Sequence, residues 1–144
     1  SGIAQIEQAP DAVRAWVSQG GQLIGEFSNT HRLWAVAFQV PTDQGARRGS
    51  CQDNLQPVVQ FSPADPFWQV VAFAPLPAGQ SGCGHEVTAF EGLVPIGGWA
   101  EGQVSLGYRD LGSGRVWACD LDWQDGGAVT ELSLDMMAAM IAGG

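Results

Sequence analysis

Two stretches of this chain are apolar on both of the faces that a β-strand presents. In Arg32 to Val40, the residues Trp34, Val36, Phe38 and Val40 fall on one side of the two-residue period and Leu33, Ala35 and Ala37 on the other. In Phe67 to Ala74, the residues Trp68, Val70, Val71 and Phe73 leave neither side polar. A strand of that kind must be covered on both faces, since either face alone would put a continuous apolar strip in water. The pattern predicts central strands and demands two covering layers.

Composition sharpens that demand. Charged residues make up 15% of the chain, against about 25% in an ordinary soluble domain, so little of the surface can be ionic. At 144 residues the chain fits one domain with one core, over residues 1–144. No fixed-period repeat, low-complexity tract or long linker divides it.

Around these strands, glycine and proline punctuate the chain. Ala9 to Gln19 reads as an amphipathic helix, with Pro10 near its start, Val13, Trp16 and Val17 on one face, and Gly20-Gly21 as the stop. Gln22 to Ser28 and Arg32 to Val40 read as a hairpin turning at Asn29-Thr30-His31. Pro41 to Asn54 reads as a long exposed loop, Pro57 to Phe61 as a strand, Glu86 to Glu91 as a short strand and Gly92 to Gly102 as irregular.

The C-terminal third carries the strongest local signal, Asp125-Gly126 between two alternating runs, which predicts a two-residue hairpin turn. That turn pairs Trp123 with Ala128, Cys119 with Leu132 and Trp117 with Leu134. A loop at Asp110 to Ser113 then pairs Leu106 with Trp117 and Val104 with Cys119, giving a three-stranded meander with one apolar face. Leu134 to Ala142, with Ser133 as N-cap, reads as a helix so apolar that it is expected to be largely buried. The architecture predicted is a single α+β domain: a bent antiparallel sheet of six to eight strands with the N- and C-terminal helices packed on it.

Chemistry is thinly represented. All six basic residues are arginines, which removes Schiff-base, phosphate-loop and lysine-base mechanisms. A net charge of −9 opposes a phosphate backbone, so nucleic acid is not expected as a partner. No run reaches the roughly 18 apolar residues of a membrane span, and Ser1-Gly2-Ile3 lacks the basic start of a signal peptide. Cys51, Cys83 and Cys119 are odd in number and widely spaced, which predicts no disulfide framework and a reducing, cytoplasmic setting. Cys83 beside His85, and Cys51 near Arg47 and Arg48, match no nucleophile or zinc signature.

The meander register puts Asp120, Asp122 and Glu131 on one outward face, with Asp120 opposite Glu131. A calcium-loop reading of Asp120 to Glu131 fails at its sixth place, which is Asp125 where a turn glycine is required, so no metal or other cofactor is implied. Those three acids remain as a surface for a basic protein partner. Of the six tryptophans, Trp16, Trp34, Trp68 and Trp117 are expected in the core, while Trp99 and Trp123, with Arg109, are the side chains expected to line a small-molecule pocket or an interface. The two short helices can shield roughly one face of such a sheet, so the other is expected to meet a second copy of the chain. The function expected is therefore a non-enzymatic binding or interaction module forming a homo-oligomer, with a small-ligand-binding protein or enzyme carrying a pocket in the sheet's concavity as the alternative.

Overall fold

A computed structural model describes residues 5, 8–26, 37–38, 47–48, 59–72, 84–85, 91–98, 104–119 and 131–142. In chain order its elements are α1 (Pro10–Ser18), β1 (Gln22–Glu26), β2 (Arg47–Arg48), β3 (Val59–Gln60), α2 (Pro66–Val70), β4 (Gly84–His85), β5 (Val94–Gly98), β6 (Val104–Leu111), β7 (Gly114–Cys119) and α3 (Glu131–Ile141).

Helix α1 forms where the sequence places it. Pro10 occupies the first turn, where its missing N–H costs nothing, and Asp11 sits at the positive end of the helix. At the other end Gly20 takes φ +113°, while Gly20 N donates to Val17 O and Gly21 N to Trp16 O, the paired bonds of a Schellman stop. The next carbonyls are taken by a different part of the chain: Ser113 N donates to Ser18 O and Arg115 N to Gly21 O. The β6–β7 turn is thus tied to the end of α1.

Among the described residues the sheet has five strands in the order β1-β7-β6-β5-β3, with β2 and β4 forming a separate two-stranded pair. It is mixed, because β1 runs parallel to β7 and the other neighbours are antiparallel. The expectation of six to eight antiparallel strands is corrected on both counts. The antiparallel meander exists, but it comprises β5, β6 and β7, one strand earlier than the sequence suggested. Of the hairpin expected across Asp125-Gly126, residues 120–130 lie outside the described residues; residues 131–134, expected to end its second strand, are helical, and β7 pairs with β1. Within the meander, β6 and β7 pair Tyr108 with Trp117 and Leu106 with Cys119, closing over Gly112 and Ser113. This differs from the expected register by two residues, so every side chain keeps its expected face.

The stretch after Ser62 corrects another strand. Asp65 accepts a hydrogen bond from Phe67 N at 2.9 Å through Oδ1, and Pro66 supplies a first helical residue with φ already set, so the backbone turns into α2 instead of extending. The other doubly apolar run also departs from a strand where it is described, because Ala37 and Phe38 are helical; the first arm of the expected hairpin is β1 as far as Glu26, and residues 27–36 and 39–40 lie outside the described residues. Gly92 to Gly102 is more regular than expected: β5 pairs with β6 through a register that skips Ile96 on one strand and Ser105 on the other. The freed Ile96 carbonyl accepts from Phe61 N at 2.9 Å and from Trp68 Nε1 at 3.1 Å. Arg47 and Arg48, expected in a loop, pair with His85 and Gly84. Of the short strand expected at Glu86 to Glu91, only Glu91 is described, and it lies in a turn.

Both faces of the sheet are covered from within the chain. On one face α2 and α3 enclose Phe67, Trp68, Val71, Ile96, Leu106, Tyr108, Trp117, Cys119, Met136, Ala139 and Met140. Phe67 meets Trp68 edge-on with ring centroids 4.9 Å apart, and Tyr108 meets Trp117 likewise at 5.1 Å. On the other face Val17 of α1, with Ala37 and Phe38, closes over Val116 and Ala118. The second layer expected from a partner subunit is therefore supplied by α1. Trp16, expected in the core, is 52% exposed, and its ring lies against Gly21, where a side chain would collide with it.

Candidate functional site

The most organised polar site lies on the α1 side of the sheet. Arg14 leaves the middle of α1 and donates from Nη1 to Ala37 O at 3.0 Å. Arg109, near the end of β6, donates from Nη1 to Phe38 O at 3.2 Å. Two arginines distant in sequence thus grip consecutive carbonyls of one helical turn. Between them lies a cleft of about 180 Å³ lined by Arg14, Ala37, Phe38, Arg109 and Leu111. The stem of Arg109 passes close to Gly92, a turn residue at φ +82°.

The charges of the two arginines are balanced differently. Arg14 is paired through Nη2 with Asp11, one helical turn back. Arg109 has no acidic partner among the described residues. The third arginine with a described side chain, Arg115, is paired with Asp110 at 2.7 Å and lies over the Tyr108 ring, 3.6 Å from its centroid. What the five lining side chains offer is charge, hydrogen-bond donors and an apolar wall, which is equipment for binding.

Of the side chains singled out from sequence, the structure places Arg109 in this cleft. Trp99, Trp123, Asp120 and Asp122 lie outside the described residues, as do Cys51 and Cys83. Glu131 opens α3, so the strand register that set it opposite Asp120 does not form. Cys119 is buried in the core with Trp117 and is not in a disulfide. Sequence reasoning missed Arg14, Phe38 and Leu111. Asp11 and Arg14 at helical spacing gave a local signal for an ion pair, but nothing local says which strand end that pair will face. Among the described residues no three His, Cys, Asp or Glu side chains gather to hold a metal, and no helix is long and apolar enough to cross a membrane.

On the opposite face, Tyr108 donates to Asp65 Oδ2 at 2.8 Å. Burial first, and then the hydrogen bond and charge of Asp65, raise the Tyr108 phenol above its ordinary value. This pair anchors α2 to the sheet. Comparison with known proteins gives no relative: no family model matches the chain, and no curated protein or solved structure does so.

Proposed function

We propose that this protein is a non-enzymatic interaction module that self-associates through the outer face of α3, acting in a reducing, cytoplasmic setting. The observation that carries the reading is the phase of that helix. Met136, Ala139 and Met140 face the core, yet Leu134, Met137 and Ile141 are 55%, 38% and 68% exposed. Their spacing of three and seven residues sets them in one stripe along the helix. Asp135 is the one charged residue of α3 after Glu131, so the outer face is nearly as apolar as the inner. Val70 of the neighbouring α2, 67% exposed, adds to the apolar surface presented by these two helices.

A second copy suits this surface better than a charged partner does. An uncharged apolar stripe is complementary to itself about a two-fold axis, the commonest symmetry of soluble assemblies. Two copies at −9 each repel, and salt screens that repulsion while strengthening apolar burial. Self-association is therefore expected to tighten with ionic strength, whereas capture of a basic protein would weaken.

Light scattering tests the reading. At about 100 μM the intact chain is expected to show twice its 15.2 kDa mass or more. The double variant Leu134→Asp, Ile141→Asp is expected to run as a monomer with unchanged circular dichroism. A monomeric intact chain at that concentration in high salt would sink the proposal.

A further inference from the structure

The geometry points to the Arg14–Arg109 cleft as a binding site for a small carboxylate with a short apolar tail, its two oxygens paired with the guanidinium of Arg109. This goes beyond self-association and is independent of it, because the cleft and α3 lie on opposite faces of the sheet.

Three features carry the assignment. The first is the unbalanced charge of Arg109. It is partly buried, makes one hydrogen bond to a neutral carbonyl, and meets no carboxylate among the described residues, whereas Arg14 and Arg115 each meet one. Withdrawing a cation from water without a counter-charge is costly, and a guanidinium with one of its five N–H groups engaged keeps an edge on which a carboxylate can fork. The second is size and lining. An apolar cavity of about 150 Å³ accommodates benzene. The cleft, at about 180 Å³ with Phe38 and Leu111 in its wall, holds a carboxylate and a few carbons.

The third feature favours carboxylate over phosphate. The carbonyl oxygens of Ala37 and Phe38, gripped by the two arginines, bring acceptor oxygens to the site. They tolerate a flat anion whose two oxygens both turn toward Arg109, but repel the additional oxygens of a tetrahedral dianion. Arg14, already tied to Asp11, contributes its field and fixes the floor.

Thermal unfolding of the full chain with added acetate, propionate, butyrate or inorganic phosphate, each against chloride at equal ionic strength, tests this. Propionate and butyrate are expected to raise the midpoint saturably, with a dissociation constant on the order of 1 mM, and phosphate to match chloride. Arg109→Met keeps the stem and removes the fork, and is expected to weaken binding at least tenfold, to roughly 10 mM or beyond. Equal responses in the intact chain and Arg109→Met, or equal responses to butyrate and chloride, would overturn the assignment. Should Arg109→Met fail to fold, the intact chain still decides the matter by NMR. Butyrate is expected to shift the Arg109 Nε–H and Leu111 methyl signals, and no shift at about 50 mM rejects the site.

Discussion

Tyr108 and Asp65 join two elements that nothing in the local sequence connects. The phenol of β6 donates to Asp65 Oδ2 at 2.8 Å, while Oδ1 of the same carboxylate accepts from Phe67 N at 2.9 Å and starts α2. One side chain thus caps the helix and docks it on the sheet, which brings Phe67 against both Trp68 and Trp117. Asp65→Ala removes both bonds and is expected to cost about 2–4 kcal/mol in urea unfolding. Tyr108→Phe, which leaves the cap, is expected to cost about 0.5–1.5 kcal/mol. Equal losses in the two variants would show that the cap contributes nothing.

The same pair makes a pH dependence that one chromophore reports. Tyr108 is the only tyrosine in the chain, so the near-ultraviolet phenolate band follows it alone. Its pKa lies above the ordinary 10.0, through burial first and then Asp65. A raised pKa means that the fold prefers the neutral phenol. The stability contributed is therefore fully present below the unfolded value of 10.0 and is lost as pH rises through the higher folded value. In the folded protein the phenolate band is expected to appear later in an alkaline titration than in the urea-unfolded chain. Asp65→Asn, which keeps an acceptor and removes the charge, is expected to bring the folded transition earlier.

Ser105 is fully buried, sits where the β5–β6 register skips a residue, and its hydroxyl has no hydrogen-bond partner among the described residues. A buried hydroxyl without a partner costs about 1–3 kcal/mol. Ser105→Ala deletes that oxygen and leaves a void smaller than a methyl group. The thermal midpoint is expected to stay level or rise by a few degrees, the shift that about 1 kcal/mol produces in a chain this long. A fall would show that the hydroxyl holds the bulge.

Local signals made some elements legible and hid others. Helix α1 was readable because its start and stop are both written in residue types, Pro10 and Gly20-Gly21. The faces of β6 and β7 were readable even though the turn was misjudged, because a shift of two residues restores the side-chain period. Phe67 to Ala74 misled because a short, almost wholly apolar run fits a strand and a buried helical turn equally well. The deciding signal there was Asp65-Pro66, a cap followed by a helix-starting proline, just before the run. At the C-terminus the alternation of Leu132 and Leu134 extended a strand into what is the first turn of α3, and tertiary burial of Met136 and Met140 won over that local pattern. The partnership of Arg109 with Arg14 and the carbonyls of Ala37 and Phe38 is a product of the sheet's assembly, which no local signal carries.

The end of α1 packs tightly over Gly114 at the β6–β7 turn. A Cβ built on that residue would run into the carbonyl oxygens of Val17 and Gly21. Those oxygens belong to backbone at and just past the end of α1, and they cannot swing aside as a side chain tip does. Gly21 O is moreover held by Arg115 N at 3.1 Å, and the neighbouring Ser18 O by Ser113 N at 2.9 Å. Gly114→Ala must therefore push α1 away from the turn, stretching both hydrogen bonds and loosening Val17 from Val116 and Ala118. The expected cost is about 2–4 kcal/mol, large for the gain of one methyl group. Because the strain falls on the α1 side, hydrogen exchange is expected to rise at the amides of Ser113 and Arg115 and along α1, while α2 and α3 keep their protection. Uniform loss of protection across both faces would mean that the two cores unfold as one unit. A stability change within about 0.5 kcal/mol of zero would show that α1 can move off the turn freely, and that the contact over Gly114 does not hold the layer in place.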